Sequence, residues 1–508
     1  MPYCWGMVRI EVERDIERLR EVARLLEAEN ARLHTRLAEL TAALAAARGD
    51  EPTVALQLEL LRLHEQLAVR TRALFSPSSE QRGGPHSEAA ADHAPKRGHG
   101  PREQPSLPLV EVVHTLDPPD EMCPQCGGHL EAWNDQYEEA DEIDVVERSF
   151  RLVRHKRQKY RCRCGGCVET ALGPPKLTPG GRYSVGFAVG VAVAKYADHM
   201  PLARQVKQMA RLGLTIDTQT LWDQLAALAH HLEPTHDALH AHVLTAPVVG
   251  ADETRWPLLG QPGATKWHAW ALAAPDAICY RIAGSRSAAA AGAVLWDYRG
   301  WVIADGYSAY TALRDQRQAV GPGAAFQLAH CWAHARRKYV EAEPHYPQAA
   351  EVLALIGQLY AIEARVAEFP EPQRLAQRAT LRQAESAAVV AQIRSWCVAQ
   401  RVLPESALGK AIRYTLNLWP GLTAFLTDAA IPLDTNHVER GLRALAVGRK
   451  NHYGSRSERG TRVAALFYSL IESAKLVAVE PAAYLAETTR RAIATPGTVT
   501  LPADLLPE

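Results

Sequence analysis

The 508-residue chain has no excess charge of either sign: 57 Lys and Arg stand against 57 Asp and Glu. A uniformly basic nucleic-acid coat and an acidic disordered protein are both excluded, so any contact with DNA or RNA has to come from local patches. The chain also lacks an apolar run of the ~18 residues that a membrane helix needs. The longest candidate, between Arg182 and Lys195, is too short. The amino terminus, MPYCWGMVRIEVERDIERLR, turns charged at once and offers no apolar signal core. These absences lead us to expect a soluble, cytoplasmic protein with no membrane contact. Cysteine is sparse outside one region: Cys4, Cys279, Cys331 and Cys397 stand alone, whereas Cys123, Cys126, Cys162, Cys164 and Cys167 crowd together. Without an export signal, such clustering favours a bound metal over a disulfide framework. The hydrophobic content of 47% is ordinary for a chain with real cores. The length fits three to four domains at roughly 150 residues each.

The first block, residues 1–75, carries a heptad. Val12, Leu19, Leu26, Leu33, Leu40 and Ala47 share one seam position, and Ile16, Ala23, Asn30, Leu37 and Leu44 share the other. Alternating steps of three and four, held this long, are the signature of a coiled coil. One Asn at an a position favours a parallel, in-register dimer, because two buried amides bond each other there. The rival reading folds this helix back on the apolar segment Leu56 to Leu74 within one chain. Residues 76–119 read as a linker, with six prolines between Pro77 and Pro108 and no apolar period.

Residues 120–172 read as a zinc ribbon. CPQCGG (Cys123 to Gly128) is a C-x2-C knuckle, and YRCRCGGC further on supplies the second half. Four thiolates at ~2.3 Å make a closed structural zinc site. Cys164 and Cys167 mirror the first pair, Cys123 and Cys126, while Cys162 competes for a place in the set. The segment leading into the second knuckle, SFRLVRHKRQKYRCR, holds seven Lys or Arg and no acid. We read it as a strand with a cationic edge (Arg154, Lys156, Arg157, Lys159) suited to DNA phosphates. Residues 173–245 read as helical and helix-turn-helix-like. One helix ends at a turn at Gly213, and a second begins near Thr215 to Thr218, with Thr218, Gln219, Thr220 and Gln224 facing a groove.

From Pro247 the texture changes to strands. VVGADETRW carries Asp252 at the end of an apolar strand, two further β-like runs and an Ala-rich helix follow, and WVIADGYSAY delivers Asp305 at a strand tip. FQLAHCWAHARRKYVEA then reads as a strand running into a helix. This order matches an RNase H-like α/β fold over residues 246–480, interrupted by an all-helical insertion at about 341–427; residues 481–508 form a tail. Two carboxylates held side by side repel each other and need cations. Two magnesium ions ~3.5–4 Å apart, with manganese as a substitute, suit that place and drive in-line displacement at phosphorus. A third acid is expected on a helix, and IPLDTNHVERGLRALAVGRKNHYG offers Glu439 in the second turn, with Asp434 or Thr435 as cap and Gly448 as the closing residue. Arg443, Arg449 and Lys450 stand ready for the phosphates of a strand lying across the acids. Cys331 and His334 form a C-x2-H pair that we read as structural or DNA-positioning.

The segments ADETRW, ADGYSAY, HCWAHARRKY and DTNHVERGLRALAVGRKN resemble the insertion-sequence sixty-six family of bacterial transposases. The likeness extends from the zipper through LFSPSSEQ, CPQCGG and KYADHMPLARQ to the ADLLPE end. It implies a DNA transposase with a DDE triad, which Asp252, Asp305 and Glu439 match residue by residue. It implies double-stranded DNA, both element ends and target, as partner, a homodimer or higher oligomer through the coiled coil, and accessory proteins encoded by the element. Two departures stand out: Thr435 replaces a usual Asn, and the second knuckle is C-x-C-x2-C rather than C-x2-C. The rival functions are an RNase H-like nuclease without strand transfer and a zinc-containing, coiled-coil regulator with a dead core.

The zipper reading is tested on a peptide of residues 8–48. It should sediment as a parallel dimer, and Asn30→Leu should raise its melting temperature while loosening the two-strand preference. A peptide that stays monomeric at high micromolar concentration leaves the intramolecular hairpin as the better account.

Overall fold

The computed structural model describes residues 149–161, 168–259, 267–321 and 323–506, together with Thr35. The heptad seam, the Pro-rich linker, the first zinc knuckle and Cys162, Cys164 and Cys167 lie outside the described residues. Two units make up the chain, residues 1–74 with 150–508 and residues 75–149. The strands and helices named here all belong to the first unit.

A two-stranded antiparallel ribbon comes first, β1 (Lys159–Arg161) against β2 (Val168–Thr170), with Lys159 opposite Thr170. The expected cationic strand is therefore short. Residues 149–158 are irregular, and Arg151 to Tyr160 are exposed, with no partner strand alongside them among the described residues.

Three helices follow: α1 (Val185–Tyr196), α2 (Leu202–Arg211) and α3 (Thr218–Val243). Ser184 caps α1 by accepting from the Phe187 N–H at 3.1 Å, and Asp217 caps α3 through the Thr220 N–H at 2.6 Å. Gly213, at φ +81°, makes the turn between α2 and α3, where a side chain would be strained. Along α3, Leu221, Leu225, Leu228, Leu232 and Leu239 form one buried stripe.

The sheet then forms from β3 (Val248–Arg255), β4 (His268–Ala273), β5 (Ile278–Ala283), β6 (Trp301–Ala304) and β7 (Gln327–His330). Its order is β5-β4-β3-β6-β7, with β3 and β5 antiparallel to β4 and β6 parallel to both β3 and β7. Helix α4 (Ala288–Leu295) links β5 to β6, and α5 (Ser308–Val320) links β6 to β7. Parallel neighbours need such crossovers. Helix α6 (Trp332–Ala342) leaves β7 directly.

Between α6 and Glu439 the described chain is helical: α7 (Ala349–Val366), α8 (Glu371–Leu381), α9 (Ala387–Ala399), α10 (Ala407–Asn417) and the short α11 (Trp419–Thr423). Val248, Ile303 and Ala329 of the sheet share a core with Trp332 and Tyr339 of α6 and with these helices. A second core joins the remaining sheet residues to α1, α3 and the last helices, α12 (Asn436–His452), α13 (Glu458–Leu476) and α14 (Pro481–Ala494). Helices α1 and α3 thus pack into the same core as the strands.

Gly448 does not close α12, which runs on to His452 and ends with Tyr453 in the left-handed region at φ 59°. Its role is close approach: a Cβ there would fall 1.8 Å from the buried Tyr468 hydroxyl on α13. Gly448→Ala should therefore destabilise the fold by about 1–3 kcal/mol through overpacking. Adding Tyr468→Phe should recover part of that loss in thermal unfolding, since the hydroxyl is the clashing group.

Candidate active site

The pairing of β3 with β6 builds the site. Val248 lies opposite Trp301 and Gly250 opposite Ile303, in parallel register. Two residues further along each strand come Asp252 and Asp305, so both project from the same side of neighbouring strands. Asp305 sits one residue beyond β6 and caps the turn it starts, accepting from the Tyr307 N–H at 2.8 Å. Tyr414, on α10 of the helical insertion, donates to the Asp305 carbonyl oxygen. Asp252 accepts from the Glu253 N–H at 2.7 Å.

Glu439 reaches the same place from α12. It lies in the first turn of that helix, not the second, because the helix begins at Asn436. Thr435 occupies the cap position without a side-chain cap bond, while the Asp434 carboxylate accepts from the Asn436 N–H at 3.0 Å and from the Asn436 amide at 2.6 Å. Gly250 lets α12 lie close against β3: a Cβ there would fall 2.3 Å from Val438 and 2.6 Å from His437. One Glu439 oxygen stands 3.6 Å from His334 Nε2, and the other 3.9 Å from the Arg337 guanidinium. The first of these oxygens, Oε1, is buried without a hydrogen-bond partner among the described residues.

The electrostatics follow from this crowding. Burial, then repulsion from Glu253 and more weakly from Asp305 and Glu439, lifts the Asp252 carboxyl to about 7, against the pull of the Glu253 N–H. Burial holds His334 below the ordinary imidazole range, although Glu439 and Asp305 draw it upward. Among the described residues no three His, Cys, Asp or Glu side chains are gathered tightly enough to hold a metal ion as they stand. The donor set still suits a hard divalent cation. Three carboxylates come within electrostatic reach of one another, burial more than their mutual repulsion raises the Asp252 carboxyl, and Glu439 offers a buried oxygen that lacks a hydrogen-bond partner among the described residues.

Glu253, the carboxylate next to Asp252 in sequence, is committed to the fold. It is buried, accepts from Arg286 Nε at 2.6 Å and Tyr310 Oη at 2.9 Å, and faces away from Asp252 by strand alternation. Arg286 also stacks on Tyr307, with its guanidinium carbon 3.7 Å from the ring centroid. Amidating Glu253 is thus expected to cost stability, since it leaves a half-exposed arginine without its anion.

The cationic candidates divide. Arg443 and Lys450 are exposed on α12. Arg449 is committed to the fold, donating to Thr254 Oγ1 at 2.7 Å and to the Arg255 carbonyl oxygen. Arg154, Lys156, Arg157 and Lys159 are exposed, with Arg157 Nε also bonded to the Ala171 carbonyl oxygen at 2.5 Å. The start of α3 departs from the expected groove-facing set. Thr218 and Gln219 are exposed while Thr220 and Gln224 are half-buried, and the Gln219 amide is bonded to Asp223 at 2.8 Å. Asp217 and Asp223 make this helix start acidic. The cationic helix is instead α2, whose Arg204, Lys207 and Arg211 are exposed on one face, with no acid anywhere in the helix. Their i, i+3, i+7 spacing was the signal available in the sequence. His334 and Arg337 beside Glu439 left only the weaker trace of a C-x2-H pair and a basic helix.

Residues 180–463 match the family described as the transposase IS66 family, a span that contains all three acids, and residues 120–165 match the zinc-finger binding domain of transposase IS66. Two proteins of Sinorhizobium fredii are similar along most of the chain. The protein y4jD is 34% identical over 79% of this chain and 80% of its own length. The protein y4qI is 31% identical over 93% and 88%. The chain belongs to the IS66 transposase family and carries that family's zinc-finger domain.

The raised Asp252 carboxyl sets a pH dependence. Unfolded Asp titrates near ~3.9, so between there and about 7 the folded chain binds more protons than the unfolded one. The metal-free protein should therefore lose stability as pH rises across that window. Asp252→Asn should flatten the trend in denaturant titrations run at pH 4.5, 5.5 and 7.

Proposed function

We propose that the protein is a DNA transposase that binds the terminal inverted repeats of an insertion sequence, cuts the DNA strand there and joins the freed 3′-hydroxyl to target DNA. The observation that carries this reading is the parallel register of β3 and β6, which sets Asp252 beside Asp305 within electrostatic reach of Glu439. The strand order, with a central β3 flanked by an antiparallel β4 and a parallel β6, supports an RNase H-like core. Family membership supports a transposase as the whole.

In this mechanism Asp252, Asp305 and Glu439 would hold magnesium, or manganese in its place. The bound ions would supply charge neutralisation for the attacking and leaving oxygens in both cleavage and joining. The residues of the chain position the DNA. Arg443 and Lys450, exposed on the Glu439 helix, bind phosphates of the strand lying across the acids; Arg449 braces that helix against β3. The Tyr307 N–H and the Tyr414 hydroxyl hold the Asp305 turn in place. Non-specific grip comes from Arg154, Lys156, Arg157 and Lys159 and from the α2 face of Arg204, Lys207 and Arg211.

Zinc would be held by Cys123 and Cys126 with two of Cys162, Cys164 and Cys167. The family match to the zinc finger ends at residue 165, which takes in Cys162 and Cys164 and strengthens the claim of Cys162. The coiled coil would pair two subunits so that both element ends are held at once. The site of action would be the bacterial cytoplasm, on the nucleoid. No helix among the described residues is long and apolar enough to cross a membrane.

The test is magnesium-dependent cleavage and joining of labelled element ends. Asp252→Asn, Asp305→Asn and Glu439→Gln should each bind ends normally yet lose both steps together, by roughly four orders of magnitude, as groups acting as a unit do. Asp434→Asn, whose amide oxygen can still accept the Asn436 N–H at the start of α12, should keep activity at little cost in stability, since Asn and Asp cap helices about equally well. Cleavage by the wild type without joining would reduce the protein to a nuclease. Full activity in Glu439→Gln with loss in Asp434→Asn would move the third acid.

A further inference from the structure

The C-x2-H pair sits where three pieces of the site meet. The Cys331 N–H donates to the Ala304 carbonyl oxygen at 3.1 Å, one residue before Asp305. The buried Cys331 sulfur accepts the Thr435 N–H at 3.3 Å, at the residue that caps the Glu439 helix. The next residue, Trp332, donates its N–H to the Leu433 carbonyl oxygen at 3.0 Å and its indole N–H to the Leu422 carbonyl oxygen at 2.7 Å. These bonds fix α6 against both the Asp305 strand and the start of α12. One turn into α6, His334 is then carried to 3.6 Å from Glu439.

We infer that Cys331 and His334 are a clip that positions the third carboxylate: the thiol sets the register of α6 on α12, and the imidazole limits where Glu439 can point. The inference rests on the catalytic reading of Glu439. Two features favour positioning over plain packing. His334 Nδ1 and Glu439 Oε1 are both buried polar atoms without hydrogen-bond partners among the described residues. A core chosen for stability alone pairs such atoms or replaces them with apolar ones, because unpaired buried polar atoms are costly. The spacing also has a reason. Cys331 is the residue before the helix and His334 lies within its first turn, so the bond at Thr435 and the contact at Glu439, four residues apart on α12, are made by one turn of α6.

Groups that orient a metal ligand without touching the metal change affinity by roughly 10–100-fold when removed. The experiment uses full-length protein and manganese as probe, with binding followed by electron paramagnetic resonance in the absence of DNA. Magnesium-dependent end cleavage, thermal unfolding and end-DNA affinity are measured alongside. His334→Ala should raise the manganese concentration for half-occupancy roughly 10-fold and slow cleavage, while its unfolding temperature and end-DNA affinity stay at wild-type values. His334→Gln, whose amide can present an N–H to Glu439, should recover most of the loss. Cys331→Ala should act in the same direction as His334→Ala. Wild-type manganese affinity and cleavage in His334→Ala would overturn the clip. So would equal losses in His334→Ala and His334→Gln that track a lowered unfolding temperature. A Glu439→Gln protein that binds manganese and cleaves as the wild type does would instead take down the catalytic reading, and the clip with it.

Discussion

The burial of carboxylates that the sheet sets side by side is the constraint on which the rest of this molecule depends. Parallel pairing of β3 with β6 leaves Asp252 and Asp305 no way to avoid each other, and the helix above brings a third acid. Burial first, then repulsion from Glu253 and more weakly from Asp305 and Glu439, lifts Asp252 to about 7. A fold built only for stability has no use for such a cluster. Much of the surrounding structure holds it in place: Tyr307 and Tyr414 on the Asp305 turn, Arg449 across the end of β3, and Arg286 with Tyr310 on the inward Glu253.

Tight packing transmits that constraint outward. Gly250 allows α12 to lie on β3 at a distance that any side chain would forbid, and Gly448 lets the same helix meet Tyr468 of α13. Helix α13 in turn bonds to β5, where the Ser469 and Ser473 hydroxyls accept the Tyr280 and Ile278 N–H groups at 2.8 and 2.9 Å. Glu439 is thus held by a chain of contacts running back to the far edge of the sheet. The helical insertion is tied to the same centre through Tyr414 and through the Trp332 indole at Leu422. It is a wall of the site as well as an excursion from the strand order.

Charge is distributed to match. The whole chain is neutral, yet among the described residues the segment before β1 and one face of α2 present exposed cations with no acid among them, and Arg443 and Lys450 are exposed on α12. The start of α3, which by analogy with helix-turn-helix proteins would enter a groove, is acidic, and most of that helix is buried in the core shared with the sheet. Phosphate contact is therefore easier to assign to α2 than base reading is to α3.

The sequence by itself determined what local chemistry can encode. The apolar strand that stops just before Asp305, the turn at Gly213 and the run of helices before Glu439 are all short-range patterns, and each is legible without knowing its neighbours; Asp252, expected at a strand end, lies instead in the middle of β3, because pairing with β4 carries that strand on to Arg255. Family membership was legible too, because four motifs in a fixed order carry more information than any one of them. Tertiary structure alone decided what depends on partners distant in sequence. It made Glu253 a buried anion rather than a spare acid, and turned Arg449 inward to Thr254, 195 residues away along the chain. It gave Gly448 to a helix crossing instead of a helix end, and brought His334 against Glu439. The reason is physical: burial, close approach and the pairing of charges are properties of the packed interior, and a residue acquires them only from segments that the local pattern does not contain.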